Sequence, residues 1–395
     1  MGYAMKTISL ILLSMIVLEV QAQFYTFNVK RLGAIPDGIS DSTDTLLNAW
    51  EMACHGNMEG QRAIFIPPGV YLVRPLVFVG PCKGPVNVHI SGILKAPEGI
   101  LGGADSWIAF QNVDGMKIYG QGSLDGQGAS AWSHNNCKGN PFCKTLPVSL
   151  KLISVLNVKI KGLTFLNSKF FHINIYESSN ILLKNINIVA PADSINTDGI
   201  HLGNSNNVRI YNSIISTGDD CISLGPGSTD VIISDVKCGP GHGISIGSLG
   251  KYAREENVRN ITVQRCELTG TTNGVRIKTW AESPPSAASD MLFKDIVMND
   301  VLNPIFINQD YCPNGNCNRK GNSRVQISNL IFDNIRGTSS SDVAVNLQCS
   351  HSSPCYDIRL HNIDLRNADS GGEPIASCSN VIGTASGKQS PIPCI

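Results

Sequence analysis

One short theme recurs along most of the chain: Asn, Asp or Gly followed by alternating apolar residues. It reads Asn87-Val88-His89-Ile90, Gly115-Met116-Lys117-Ile118, Asn157-Val158-Lys159-Ile160 and Asn180-Ile181-Leu182-Leu183. It continues at Asn207, Asp230, Asn260, Asp290, Asn329 and Asp357. From Asn157 to Asp290 the intervals are 23, 27, 23, 30 and 30 residues. Such a period marks a repeat architecture, in which neighbouring units bury one another's apolar faces. The alternation is that of strands with one buried face, and no helical pattern accompanies it. That excludes leucine-rich and helical solenoids. Propeller blades would be longer and would show hairpin turns. Short strands separated by polar turns fit the coils of a parallel β-helix, stacked about 4.8 Å apart. Asparagines at one coil position would stack as a hydrogen-bonded ladder. The chain is therefore read as all-β, with no linker or composition shift after its first residues.

One amphipathic helix precedes the repeats. It runs from Asp44 to Cys54, with Leu46, Leu47, Trp50 and Ala53 on one face and Thr43 as its cap. A repeat array needs a lid over its open apolar end, and this helix is expected to supply it. Residues 1–22 read as a secretory signal: Lys6, the apolar run Ile8 to Val20, and a cut near Ala22 or Gln23. The run is too short to span a bilayer. Residues 23–395 are then expected to form one domain.

Secretion gives the 13 cysteines an oxidising setting. Local spacing pairs Cys137 with Cys143, Cys312 with Cys317, Cys349 with Cys355, and Cys378 with Cys394. Cys221 with Cys238 would bridge neighbouring coils, and Cys54 with Cys82 would leave Cys266 as the odd thiol. No C-x-x-C or H-E-x-x-H is present, so neither a metal nor a cofactor is expected. Asn260-Ile261-Thr262 is an N-glycosylation acceptor. With 31 basic and 31 acidic residues the net charge is zero. No basic field invites nucleic acid or a membrane surface, and the chain is expected to act as a monomer.

In one stretch, Asn196 to Lys278, three carboxylates, a histidine, an arginine and a lysine recur at near-regular intervals. The stretch contains N-T-D-G-I-H from Asn196, T-G-D-D-C from Thr217, G-P-G-H-G from Gly239 and N-G-V-R-I-K from Asn273. Asp198 lies 22 residues before Asp220, and His242 lies 22 after it. Coils of that length would place Asp198, Asp219 or Asp220, and His242 on one ridge. Arg276 and Lys278 alternate with Val275 and Ile277, so both point to one side of their strand. Crowded carboxylates raise the pKa of one of them. One proton donor beside one carboxylate is what glycosidic hydrolysis requires. The two cations would bind an anionic group on the sugar. Gly243-Ile244-Ser245-Ile246-Gly247 matches the nucleophile-elbow pattern, but no helical pattern follows it.

In this order and spacing, N-T-D, G-D-D, G-H-G and R-I-K resemble the four signatures of the polygalacturonases, glycoside hydrolase family 28. The likeness spans the mature chain, including Asp125-Gly126-Gln127-Gly128 and Gln309-Asp310-Tyr311. Cys137 to Cys143 followed by Leu146-Pro147 is similar to the plant pollen-type exopolygalacturonases. The resemblance implies a right-handed parallel β-helix, extracellular action on cell-wall pectin, and inverting hydrolysis. It makes Asp219 the general acid, with Asp198 and Asp220 activating water and His242 tuning or sharing the acid's proton. Arg276 and Lys278 would hold the galacturonate carboxylate, and Asn196 and Tyr311 would line nearby subsites. Exo action from the non-reducing end is the expected mode. The competing readings are an endo-acting polygalacturonase, a calcium-dependent pectate lyase on the same fold, and a non-catalytic wall-binding β-helix.

Overall fold

The computed structural model describes residues 23–135, 143–313, 315, 317 and 322–395. The expected signal sequence, residues 1–22, and Cys137 lie outside these residues. The chain winds as a right-handed parallel β-helix. An 11-stranded parallel sheet forms one side, and a bent set of 20 strands closes the rest of the circuit. One coil shows the plan. Ile200–Gly203 lies in the 11-stranded sheet, and Asn206–Ser216 turns two faces before the chain returns.

The recurring Asn or Asp sits at a corner, and backbone sterics explain the residue type. Asn157, Asn180, Asn207, Asp230, Asn260, Asp290, Asn329 and Asp357 all have φ between 52° and 59°. That left-handed region disfavours most side chains and suits Asn, Asp and Gly. The side chains also bond along the stack. Asn157 donates to Asp114 at 2.7 Å, Asn180 to Asn157 at 3.0 Å, and Asn207 to Asn180 at 2.7 Å. Asn260 donates to Asp230, so the amide that would carry a glycan is exposed but already engaged in this ladder.

Behind each corner residue, alternating side chains point inward. Val158 and Ile160, Val208 and Ile210, and Val231 and Ile233 are fully buried and in register from coil to coil. Each such side chain contributes about 1.5–3 kcal/mol of burial. Ile233→Ala would cost about 2–5 kcal/mol, because stacked neighbours cannot close the cavity.

The helix Thr43–His55 covers the N-terminal end of this core. Trp50 packs on Phe78 and Phe110, with ring centroids 5.0 and 5.5 Å apart. The structure corrects one detail of the helix start. Ser42 occupies the cap position without a side-chain bond, and Thr43 is the first helical residue. The Thr43 hydroxyl instead donates to Asp41 and accepts from the Arg74 N–H, tying the helix start to a neighbouring turn. Among the described residues, disulfides join Cys54–Cys82, Cys221–Cys238, Cys312–Cys317, Cys349–Cys355 and Cys378–Cys394. Cys266 is a buried free thiol, which burial pushes up to about 12.

Candidate active site

The acidic motifs occupy the turns that lead into the 11-stranded sheet. Ile200, Ile222, Ile244 and Val275 are register partners on successive strands. Asp198, Asp220, His242 and Asn273 each stand two residues ahead of one of them. The motif glycines permit this stacking. A Cβ at Gly218 would lie 2.0 Å from the Ser194 carbonyl oxygen. Gly243, at φ +84°, would meet the Asn273 carbonyl at the same distance. The Cys221–Cys238 disulfide anchors the residue that follows Asp220.

Each aspartate has different partners. Asp219 is partly exposed: Oδ1 faces His242 Nδ1 at 3.1 Å and accepts the Asp220 N–H at 2.8 Å, and Oδ2 accepts from Asn196 at 3.1 Å. Asp220 is 1% exposed. It takes Lys278 Nζ at 2.7 Å on Oδ2 and the Ser245 hydroxyl at 2.8 Å on Oδ1. Asp198 is also buried, and its Oδ2 accepts from Ser223 at 2.8 Å. Ser223 in turn bonds His201 Nδ1 at 2.7 Å.

These surroundings drive the carboxyls apart. Burial, then the nearby charges of Asp219 and Asp220, raise the Asp198 pKa well above the ordinary carboxylate value; Lys278 and Ser223 offset this only in part. Burial also pushes Asp219 upward. The His242 hydrogen bond and charge, with Lys278 and the Asp220 N–H, outweigh it and hold Asp219 below its ordinary value. His242 is raised, chiefly by its bond to Asp219. Burial lowers Lys278, but the Asp220 charge leads the effects that raise it overall. His201 is pushed down to about 4 by burial, so the Ser223 contact is made by a neutral ring.

Arg276 and Lys278 leave the outer face of the strand Asn273–Trp280. Tyr311 lies over both cations, 5.2 Å from the Arg276 guanidinium and 5.5 Å from Lys278 Nζ, and meets Trp280 edge-on. Arg276 Nε is buried with no hydrogen-bond partner. A groove beside Arg276 is lined by Asn308, Asp310 and Tyr311. Asn135, on a distant turn, donates to the Asn196 side-chain oxygen at 3.1 Å and so orients the amide that holds Asp219. Through these contacts Asn196, Asp219, Asp220, His242, Arg276, Lys278 and Tyr311 form one connected cluster, and Asp198 joins it through the charges of Asp219, Asp220 and Lys278.

Oxygens of Asp219 and Asp220 and a ring nitrogen of His242 lie within 4.8 Å of one another, a grouping with cation-binding geometry. Asp220 already has Lys278 as its countercharge, and both of its oxygens are engaged. A divalent ion there would compete with the lysine for Asp220.

Sequence reasoning gave no role at this site to Ser223, Ser245, His201 and Asn135, meeting Ser245 only in the G-x-S-x-G match. The first three follow the same 22-residue phase as the aspartates. His201, Ser223, Ser245 and Arg276 are register partners one row along the sheet. Ser245 lies on a strand, fully buried and donating to Asp220, so the G-x-S-x-G match is not a nucleophile elbow. No sequence signal marked Asn135, which reaches the site from 61 residues away.

A parallel β-helix that presents paired carboxylates beside cations on one ridge has the make-up of a polysaccharide-cleaving enzyme. The chain belongs to the glycosyl hydrolases family 28, whose model matches residues 56–387. It is 46% identical over 374 residues to an exopolygalacturonase of Platanus acerifolia, covering 94% of this chain and 98% of that protein. It is 44% identical over 365 residues to an exopolygalacturonase of Zea mays, covering 92% and 88% of the two chains. The fold is similar to a crystal structure of a hyperthermoactive exopolygalacturonase from Thermotoga maritima. That likeness has a TM-score of 0.72 at 19% identity and covers 92% and 93% of the two chains.

Proposed function

We propose that this chain hydrolyses α-1,4-galacturonosyl linkages of polygalacturonate, the backbone of pectin, and releases galacturonate from the non-reducing end. One observation carries the reading. Asp198 and Asp219, whose surroundings shift their carboxyls in opposite directions, stand with Asp220 beside two cations that share an aromatic wall. The names of the Platanus and Zea relatives support the exo mode. Residues 23–395 act as one catalytic unit, released after a signal sequence of 22 residues, working as a monomer on extracellular wall pectin.

Each residue takes a role that its surroundings support. The Asp219–His242 pair carries one proton between Oδ1 and Nδ1. A uronate ring that covers the pair removes water from it, which favours the neutral form, a protonated Asp219 beside a neutral imidazole. Asp219 then protonates the leaving glycosidic oxygen. Water attacks the anomeric carbon and loses its proton to the Asp198–Asp220 side. Asp198 takes that proton only in its ionised form, and protonation of Asp219 under the bound sugar removes one of the charges that keep the Asp198 pKa raised. Asp220 orients the water. Its oxygens are pinned by Lys278 and Ser245, so direct attack by Asp220 would break a buried ion pair. This favours water as the nucleophile and hence inversion. The 4.8 Å grouping of Asp219 and Asp220 is closer than the ~6.5–9.5 Å usual for an inverting pair. The unpartnered Arg276 Nε and the Lys278 ammonium receive the sugar carboxylate below Tyr311.

The Asp219, Asp220 and His242 grouping favours one rival, a cation-dependent lyase. Digestion of a galacturonate oligomer with chelator present separates the readings. Saturated monomer alone from the first time point is the expected result. Mixed oligomers would mean endo action. An ultraviolet-absorbing product that vanishes with chelator would mean elimination. No product at all would mean a binding module.

A further inference from the structure

A second charged feature lies on a different face of the coils. After the 11-stranded sheet the chain turns a corner at the asparagine ladder and enters the strands Asp114–Gly120, Leu156–Lys161, Ser179–Lys184 and Asn206–Ser216. Inward positions here are apolar. The outward positions carry Lys117, Lys159, Lys161, Lys184 and Arg209, all exposed.

Register stacks them. Lys117, Lys159, Leu182 and Arg209 follow one another in one row; Tyr119, Lys161, Lys184 and Tyr211 follow in the next. Successive rungs are about 4.8 Å apart, so a cation is met on each of four coils. The second row continues through His89 and Phe65. Rings of Tyr119 and His89 stack at 4.8 Å, and those of His89 and Phe65 lie 5.0 Å apart.

Among the described residues none of these five cations has an ion-pair partner, whereas Lys151, Lys237, Lys294, Lys388, Arg74, Arg265 and Arg359 each have one. The two surface grooves running between them are lined by Gln61, Asn87 and the lysines, with no Asp or Glu in either lining. The neighbouring carboxylate, Asp114, is already bound by Asn157. A chain with no net charge has thus gathered five cations without ion-pair partners into two adjacent rows. Like charges at rung spacing repel, so the array carries a cost that a polyanion lying along the helix axis would relieve.

We propose that this face is a second, non-catalytic binding site for an acidic polysaccharide, a run of uronate sugars laid along the β-helix. The assignment rests on the reading of the protein as a polygalacturonate hydrolase, which gives it a polyanionic substrate. The lysines supply charge at each rung, and the Tyr119–His89 ring edges and Leu182 supply apolar contact. A second foothold on one polymer raises the local concentration of chain ends at the active site without touching the chemistry.

The test compares the protein with a Lys159→Ala, Lys161→Ala, Lys184→Ala variant, each in an Asp219→Asn background so that no substrate is consumed. Binding is measured on long, fully de-esterified polygalacturonate. The expected loss of affinity is about tenfold at low salt, shrinking as salt screens the charges. With Asp219 intact, turnover of tri-galacturonate should be the same in both proteins, which also shows that the variant folds. Unchanged polymer affinity in the triple variant would overturn the proposal, whatever the hydrolysis assay gives. Equally tight binding of double-stranded DNA of matched charge would overturn the assignment to a saccharide. If tri-galacturonate is not hydrolysed at all, the functional reading fails separately, and the binding comparison still stands.

Discussion

Two sets of aspartates occupy turns of one coil stack in opposite surroundings. Asp230 and Asp290 stand at exposed left-handed corners, where their oxygens accept from Asn260 and Asn329 one coil on. Asp198 and Asp220 stand on the turns into the 11-stranded sheet, buried, with hydroxyl and ammonium partners supplied by later strands. The residue type and the stacking are shared. Burial and countercharge differ, and in the proposed mechanism they decide whether a carboxylate holds a corner or moves a proton. A repeat therefore builds both a scaffold and a site from one amino acid, by changing which direction it faces.

The largest contrast comes from one substitution made in both places. Asp219→Asn should lower polygalacturonate turnover by about 10²–10⁴ with little change in thermal midpoint. Asp230→Asn should leave turnover unchanged. Steady-state reducing-sugar assays with melting curves check both.

Next in size is the buried ion pair. Lys278→Met leaves Asp220 uncompensated and should cost about 3–5 kcal/mol in denaturant unfolding. Adding Asp220→Asn should restore most of that stability and none of the activity.

The ladder should respond to backbone more than to chemistry. Asn180→Ala should destabilise by about 1–3 kcal/mol, through strain at φ 59° and lost amide bonds. Asn180→Gly should cost less, because glycine keeps the conformation. If the alanine variant is no worse than the glycine one, the corner explanation fails.

The smallest effect is a pH dependence. The folded-state pKa of His242 is raised above 6.5, so its stabilising contribution is full below that value and is lost as pH rises through the folded pKa. The folded-state pKa of Asp219 is lowered, so its contribution is present above 3.8 and is lost as pH falls. The pair therefore stabilises between those limits. The stability gap between the protein and His242→Gln should be widest near about pH 5 and should close in alkaline buffer. A gap that widens with pH would reverse the assignment.

Much of this was legible in the chain because a parallel coil is periodic. The interval from Asn157 to Asn180 is the geometric repeat itself, and the alternation behind each corner residue marks the buried face. The reason for Asn at those corners was harder to see. The ladder of side-chain bonds follows from spacing, but the left-handed backbone that selects the residue does not. A second left-handed column, through Asn185, Asn212, Asp235, Arg265 and Asp295, escaped notice because its residue types vary. At the site, the 22-residue phase located the aspartates and His242. The same phase carried Ser223, which read as an ordinary strand residue, and Ser245, which read only as a failed nucleophile-elbow match; their hydroxyls bind Asp198 and Asp220. Asn135 had no phase to betray it.

The central claim is that carboxyls pinned by Lys278, Ser245 and Ser223 activate water rather than attack the sugar. Proton NMR of the first galacturonate released from polygalacturonate reads this directly, before mutarotation. The account predicts the β-anomer from an α-linked chain. Release of the α-anomer would mean that a carboxylate attacks first, and would contradict it.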